Sequence, residues 1–531
     1  MRLCNKRSWI MLLIVFMLIF TRAITVSHNI GTSPDEHVFF SAAQSLKGFI
    51  SGSSPTYEEV KEYPEGAIVL QLPFHIMTAV FNRLTGAYIS PALSGRIASI
   101  FYFICGTITA CIILYKYFSQ KLSSLIVYGL IVLFSIMHIE QSRYGTGDPI
   151  SFFLMMLLIY FALLGIESPK HQLRYVFFSF FISGMLAAVK YPLIFFCVIP
   201  IYAFIVLLRN NSQIRSNIYI YILVCIVILY LGFAFISPKT AFDPMYIVRA
   251  SGRELNAYMD SSTSRLSLIW TNLMSVLTYS MFYSGVPFMP IILGACFIKR
   301  WRSITSGNFT STFFYRVLPI LIITFFLYNL CVSALFMRTY YPFFFLSDLY
   351  VAAAIGDWFA NSRAKKFVFT ALCGFMVIRG AYYIYLLSDN TDSTRMANMI
   401  SDAVDENWIK TTVLSGQIIY TDDYYDYKSI YVTDIKDPRF CDPESIELEH
   451  GELLITGSKN HAELTSPFAF LSLGCNNGLD TQNWLNFKQV NESYYVGQLY
   501  SDFYYYLFGG WIYGTTGAGY ESPACYIYYR S

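Results

Sequence analysis

The sequence predicts a polytopic α-helical membrane protein with about eleven transmembrane helices, membrane-lying helices in its first long loop, and a small C-terminal α+β domain outside the membrane. Three observations carry that prediction. Of the 531 residues, 55% are hydrophobic and 13% charged, with a mean hydropathy of +0.47, whereas soluble domains carry about 25% charged residues. Apolar stretches recur at the roughly 20-residue length that a helix needs to cross a bilayer. Lys and Arg gather in every second loop, as they do in cytoplasmic loops.

In chain order the apolar stretches fall near 9–27, 96–115, 122–138, 149–166, 175–189, 192–208, 218–236, 267–297, 314–336, 340–359 and 367–387, the fifth and sixth being short. The first is flanked by Arg2, Lys6 and Arg7, as a signal peptide would be. No small-residue cleavage site follows it, so it is expected to stay as an anchor. The basic loops hold Lys116 and Lys121, Lys170 and Arg174, Arg209 and Arg215, Lys299, Arg300 and Arg302, and Arg363, Lys365 and Lys366. With eleven spans all of these share the side of the N-terminus, which is therefore expected to be cytoplasmic. The loop 28–95, the turn 138–148, the loop 237–266 and the chain after Ser388 face the other side. Two regions result, a transmembrane domain, 1–388, and an extracytoplasmic soluble domain, 389–531.

The tail is rich in Tyr and Asp and punctuated by Gly and Pro. Residues 392–410 read as an amphipathic helix, while "GQIIYTDDYY" and "KSIYVTDIKD" alternate as strands do. A net charge of +3 is too small to argue for a nucleic-acid partner. Eight of the 11 cysteines lie in or beside apolar runs, where Cys acts as a small hydrophobe. There is no CxxC pair to support a zinc or redox site. Cys441, Cys475 and Cys525 lie in the tail, where an oxidising compartment allows one disulfide and leaves one thiol.

Chemistry-bearing residues cluster in polar islands at span ends. "SPDEHVFF" follows the first span, and Ser33, Pro34 and Glu36 make a capping box with Pro at the first helical position. Asp35 is not required by the cap, and a carboxylate beside a membrane face costs desolvation unless something uses it. A structural and a functional role both remain open for it. Asp148, in "SRYGTGDPISFFL", stands immediately before the fourth span on the same side. It reads either as an N-cap ahead of Pro149 or as a second carboxylate brought to the same cavity as Asp35. Lys190, in "GMLAAVKYPL", and Arg338, in "FMRTYYPF", lie at outer boundaries, where a single cation ordinarily snorkels to the headgroups. Together the four residues offer two carboxylates and two cations at membrane depth, which suits a reaction on a phosphate-bearing lipid.

The order of these islands resembles a family. The chain is similar to the GT-C glycosyltransferases of the protein mannosyltransferase and aminoarabinose transferase group (glycosyltransferase family 39 and relatives). The matching elements are Asp35-Glu36 with "FFSAAQSLKG", then "YPEGAIVLQLPFHIMTAVFNRLTG", Arg96 in "SGRIAS", "SRYGTGDPISFFL", "GMLAAVKYP", "SPKTAFDPMYIVR", "MRTYYPFFFLSDLYVAAA" and "STRMANMISDAVDENWI". They span nearly the whole chain. One departure is Glu65, where the family commonly has a second Pro, and it bears on how that loop meets the donor.

The resemblance implies transfer of a sugar from a polyprenyl phosphate to an acceptor hydroxyl outside the cytoplasm, with inversion at the anomeric carbon. It implies Asp35 as the general base, Asp148 as a residue that orients the acceptor or shares that role, and Lys190 and Arg338 as the holders of the donor phosphate. A base in hydrogen-bond reach of the acceptor oxygen and cations near the departing phosphate are what such a reaction needs. Glu36 supports the loop through its cap, Tyr63 and Arg96 are further candidates, and His37 is structural. No cofactor or metal is demanded, although two carboxylates can bind a divalent cation. The implied partners are the lipid-linked donor, a glycan, lipid or protein acceptor, and the bilayer. The implied location is a prokaryotic plasma membrane, with the tail covering the cavity and its Tyr residues available to stack on sugars. A transporter or flippase of lipid-linked sugars would instead place its ionisable groups near the bilayer midplane. A non-catalytic scaffold would leave the charges at 35, 148, 190 and 338 without a common purpose.

Overall fold

The computed structural model describes residues 6–26, 65–86, 91–117, 122–168, 170–237, 289–302, 309–331, 340–358, 419–421, 435–436, 453–457 and 525–529, with scattered positions between them. The chain divides into two units, one of Met1–Val26 with Val38–Ala381 and one of Ser27–His37 with Tyr382–Ser531.

Among the described residues the larger unit is helical. The described helices are α1 (Lys6–Thr25), α2 (Glu65–Thr85), α3 (Pro91–Tyr117), α4 (Leu122–Phe134), α5 (Ile136–Arg143), α6 (Asp148–Glu167) and α7 (Gln172–Val189). They continue with α8 (Tyr191–Asn210), α9 (Ser212–Ser216), α10 (Ile218–Ile236), α11 (Met289–Arg302), α12 (Phe309–Leu330) and α13 (Tyr341–Trp358). Among the described residues, 7 helices have the length and apolarity to cross a membrane, or 8 if α4 and α5 count as one broken span. Shorter apolar helices lie at Trp9–Thr25, Met289–Lys299 and Tyr341–Ala354. The expected span near 367–387 is described only in part.

Two of these helices bear on the sequence-based expectation. Among its described residues, the segment expected to lie along the membrane holds the helix α2, which at 21 residues is long and apolar enough to cross. Pro73 sits inside it and withholds the N–H that Val69 would receive. The neighbouring Leu70 carbonyl accepts the Tyr102 hydroxyl at 2.8 Å. The stretch read as one span over 122–138 is broken, with a bend of 62° between α4 and α5. Ser135 starts the second piece, its Oγ accepting the His138 N–H. The carbonyls that the break leaves at the end of α4 are met by Arg22 of α1. This guanidinium, fully buried, donates to Val132 O at 2.8 Å, to Leu133 O at 3.5 Å and to Ser142 Oγ at 2.7 Å. No water reaches such groups in a bilayer core, so the break requires a donor of this kind.

The tightest packing joins α7 to α10, α6 to α7 and α3 to α6. The α7–α10 crossing depends on two glycines. A Cβ at Gly184 would overlap the Leu229 carbonyl, and one at Gly232 would overlap the Phe181 carbonyl. Backbones approach this closely only where side chains are absent, and such contacts supply the packing attraction that lipid cannot.

Among the described residues of the smaller unit, four strands form one sheet: β1 (Ile419–Thr421), β2 (Ile435–Lys436), β3 (Leu453–Gly457) and β4 (Cys525–Tyr529), in the order β2-β1-β3-β4. β1 pairs in parallel with β2 and β3, while β3 and β4 are antiparallel, with Leu453 opposite Tyr529. β1 and β2 lie in the two stretches whose alternation predicts strands. Cys441 and Cys475 and the helix expected over 392–410 lie outside the described residues.

Candidate functional site

One end of the helical unit gathers charge. It is the end at which α2, α6 and α8 begin and α5, α7 and α10 finish. Gly147 takes the cap position of α6, and Asp148 becomes its first helical residue, followed by Pro149. Gly147 offers no side-chain cap, so Asp148 stands one residue past the cap position. Its carboxylate, 6% exposed, meets Lys190 Nζ at 3.0 Å instead. Lys190 stands in extended conformation between α7 and α8, where Pro192 ends the preceding helical hydrogen bonding. Its side chain is 26% exposed, so the ammonium can reach an incoming anion while Asp148 holds it.

A second ion pair lies beside the first. Glu65, at the start of α2, is buried and accepts from Ser237 Oγ and from the Lys239 backbone N–H, both at 3.2 Å. Its other oxygen lies 3.8 Å from Lys239 Nζ. The α2 helix ties the two pairs together. Gly66 lies against the end of α7, where a Cβ would stand 2.5 Å from the Ala188 carbonyl oxygen. One turn further on, the Gln71 amide donates to the Gly145 and Thr146 carbonyls at 3.1 and 3.2 Å, in the turn that leads into Asp148.

Arg96 is wholly buried, donates to Val26 O at 2.8 Å, and lies 5.9 Å above the Tyr144 ring. Arg143 stacks on the same ring from 4.7 Å and bonds its hydroxyl. These cations fix the turn 144–147 from below.

Among the residues expected at the site, the structure thus brings Asp148 and Lys190 into contact and places Arg96 in the shell beneath them. Asp35, Glu36, Tyr63, Arg338 and His37 lie outside the described residues. Among the described residues, no group of three or more His, Cys, Asp or Glu side chains is set to hold a metal ion. Sequence reasoning missed Lys239 as the partner of Glu65, although both stand in segments singled out there. It also missed a buried cluster of His138, Tyr341 and Asp348. For Asp348 a signal existed, since a carboxylate inside an apolar stretch, here "FFFLSDLYVAAA", is costly unless it has a task. Away from the charged end, an apolar cavity of about 330 Å³ lies between α11 and α12, lined by Leu293, Phe297, Ile322, Phe326 and Phe343.

No family model matches the chain, and no curated protein matches it. Solved structures do. ArnT from Cupriavidus metallidurans, crystallised with undecaprenyl phosphate, is 13% identical with a TM-score of 0.51, over 87% of this chain and 95% of that one. The apo form of the same protein gives 12% identity and a TM-score of 0.50 over the same shares. The Archaeoglobus fulgidus oligosaccharyltransferase, in a complex with zinc and sulfate, gives 11% identity and a TM-score of 0.43 over 86% of this chain and 70% of that one. The chain therefore shares the polytopic helical fold of ArnT.

Proposed function

We propose that the protein is a GT-C glycosyltransferase that moves a sugar from a polyprenyl-phosphate carrier to an acceptor hydroxyl on the extracytoplasmic side, with inversion. The observation that carries this reading is the meeting of Asp148 and Lys190 at 3.0 Å at one end of an ArnT-like bundle. A lipid-linked donor cannot leave the bilayer, so its phosphate must be met at helix ends, where these groups stand. Undecaprenyl phosphate bound to ArnT supports this class of donor. The apolar cavity between α11 and α12 offers room of the kind an isoprenoid chain fills.

Lys190 and Arg338 bind the donor phosphate, and Lys239 adds positive charge at the same end. Binding of the phosphate draws Lys190 away from Asp148, which frees that carboxylate to orient the acceptor hydroxyl. Asp35 takes the hydroxyl proton as the oxygen attacks the anomeric carbon. The bond from that carbon to the phosphate oxygen breaks, and its electron pair leaves with the phosphate, where the cations stabilise the growing charge. Glu36 and Tyr63 support the loop that carries Asp35. No cofactor is required, and a divalent cation held by the carboxylates would act on the same phosphate. Residues 1–388 form the catalytic domain and 389–531 an extracytoplasmic domain, in a prokaryotic plasma membrane with a cytoplasmic N-terminus.

Purified protein incubated with a panel of radiolabelled polyprenyl-phosphate sugars, with and without membrane extract and with and without a chelator, tests the reading. Labelled product is expected from the parent and not from Asp35→Asn or Lys190→Gln, with Asp35→Asn still binding donor. Product formation untouched by both substitutions refutes it. Sugar flux across vesicles without product points to a transporter.

A further inference from the structure

Helix α2 touches the segments that carry both members of the Asp148–Lys190 pair. On one side Gly66 lies against the end of α7, where a Cβ would stand 2.5 Å from the Ala188 carbonyl oxygen, two residues before Lys190. On the other, the Gln71 amide donates to the Gly145 and Thr146 carbonyls at 3.1 and 3.2 Å, just ahead of Asp148. Five residues of helix separate Gly66 from Gln71, a rise of about 7.5 Å and a rotation of about 140°. The helix therefore meets the two segments on different faces. The turn passes the hold at Gln71 on to Asp148 through the backbone. Gly147 has helical dihedrals, φ −76° and ψ −9°, and its carbonyl accepts the Ser151 N–H at 2.9 Å. The Ser151 hydroxyl donates to the Asp148 carbonyl at 2.7 Å. With those bonds in place, the direction in which the Asp148 side chain leaves the backbone follows from where the carbonyls of 145 and 146 are held.

We propose that Gln71 is a positioning residue that sets the Asp148 carboxylate against Lys190 by gripping the turn ahead of it, an inference that rests on the reading of that pair as a sugar-transfer site. The chemistry of the side chain argues for this role. Gln71 is fully buried, and two carbonyl acceptors orient its amide with the nitrogen toward them. The amide oxygen then faces α3, where a Cβ at Gly95 would lie 3.7 Å from it, and it has no hydrogen-bond partner among the described residues. Burying a polar oxygen in this way is unfavourable, and a leucine or methionine of similar size would avoid it. Packing alone therefore does not call for glutamine here. What glutamine adds is a pair of N–H donors, at the reach of its stem, aimed at main-chain oxygens of the turn that leads into Asp148. A matched contrast lies at the far end of α2. There the Asn82 amide donates to the Ile89 carbonyl and accepts the Ile89 N–H, both at 2.9 Å. It too spans two backbone bonds, but they close the end of α2 itself and do not reach the turn.

The test uses full-length protein in lipid nanodiscs and two readouts. The first, which needs no activity, is the separation of Asp148 and Lys190 in cryo-electron microscopy maps of the parent and of Gln71→Met, which keeps the side-chain volume and removes both donors. The second is turnover and donor KM in sugar transfer. Gln71→Met is expected to part the carboxylate from Lys190 beyond hydrogen-bond reach. Turnover is expected to fall about tenfold to a hundredfold. Donor KM is expected to stay near the parental value, because Lys190 remains with α7 and α8 and still meets the phosphate. Asn82→Leu is expected to leave both readouts as in the parent. A Gln71→Met protein that keeps the 3.0 Å contact overturns the proposal, as does parental turnover once the contact has opened. Equal losses from Asn82→Leu also overturn it, since they would reflect a general loosening of α2. If Gln71→Met fails to fold, Gln71→Asn, one methylene short of the two carbonyls, is judged by the same criteria. An opened contact in Gln71→Met, with no transfer by the parent from any donor, keeps the positioning role and refutes the transferase reading instead.

Discussion

Replacing Arg22 by Met removes the clasp across the α4–α5 break while keeping most of the side-chain volume. Two short bonds are lost, to Val132 O at 2.8 Å and to Ser142 Oγ at 2.7 Å, along with the longer one to Leu133 O. Bonds from a charged donor contribute about 1.5–3 kcal/mol each in soluble proteins, but measured values between membrane helices are about 0.6–1.7 kcal/mol. Deleting the guanidinium also recovers part of its desolvation cost. The expected net loss is about 2 kcal/mol, read as an unfolding temperature lower by a few degrees. The assay is thermal unfolding of detergent-solubilised protein followed by size-exclusion chromatography. Ser142→Ala alone should cost about 1 kcal/mol. The double variant should fall short of the sum, because both substitutions remove the same bond. An Arg22→Met protein that unfolds at the parental temperature, or strict additivity with Ser142→Ala, would show that the break does not depend on Arg22.

Gly184→Val forces a side chain into the Leu229 carbonyl across the α7–α10 crossing. It should cost about 3 kcal/mol or more, seen as loss of monodisperse protein, whereas the same change at Gly252, which has open space around it, should be neutral. Glu65→Gln keeps an acceptor for Ser237 but removes the charge facing Lys239; stability should fall by about 1–2 kcal/mol, measured by the same melt. Lys190→Gln should reduce transfer about a hundredfold, with Lys190→Arg retaining more of it, as judged by initial rates on lipid-linked donor.

Much of this architecture is legible in the sequence, and the reasons for the rest are specific. The lengths of the apolar stretches announce α3, α6, α7, α8, α10 and α12, because a bilayer imposes length and apolarity together. Asp148 and Lys190 were each ambiguous alone, since a cap or a snorkelling cation explains either; only their order along the chain suggested that they meet. The break in the third span was hidden because Ser135 is a small residue within an apolar run, and its meaning depends on Arg22, distant in sequence. Asp348 stood out only as a carboxylate in an apolar stretch, and His138 had no local partner to reveal it. The bonds that give these residues their roles are tertiary, and no short window of sequence contains both ends. Helix α2 is long and apolar enough to cross a membrane and runs continuously through Pro73, so length and apolarity alone do not separate a crossing helix from one that lies along the surface.

The glycine at position 66 carries a mechanical consequence. Main-chain atoms touch main-chain atoms there, and the Gln71 amide grips two carbonyls a turn away. The register of α2 against the end of α7 and the 145–146 turn is therefore held by the backbone, and a change of rotamer cannot shift it. Moving Glu65 relative to Asp148 would have to displace a whole helix, a motion of microseconds to milliseconds instead of nanoseconds.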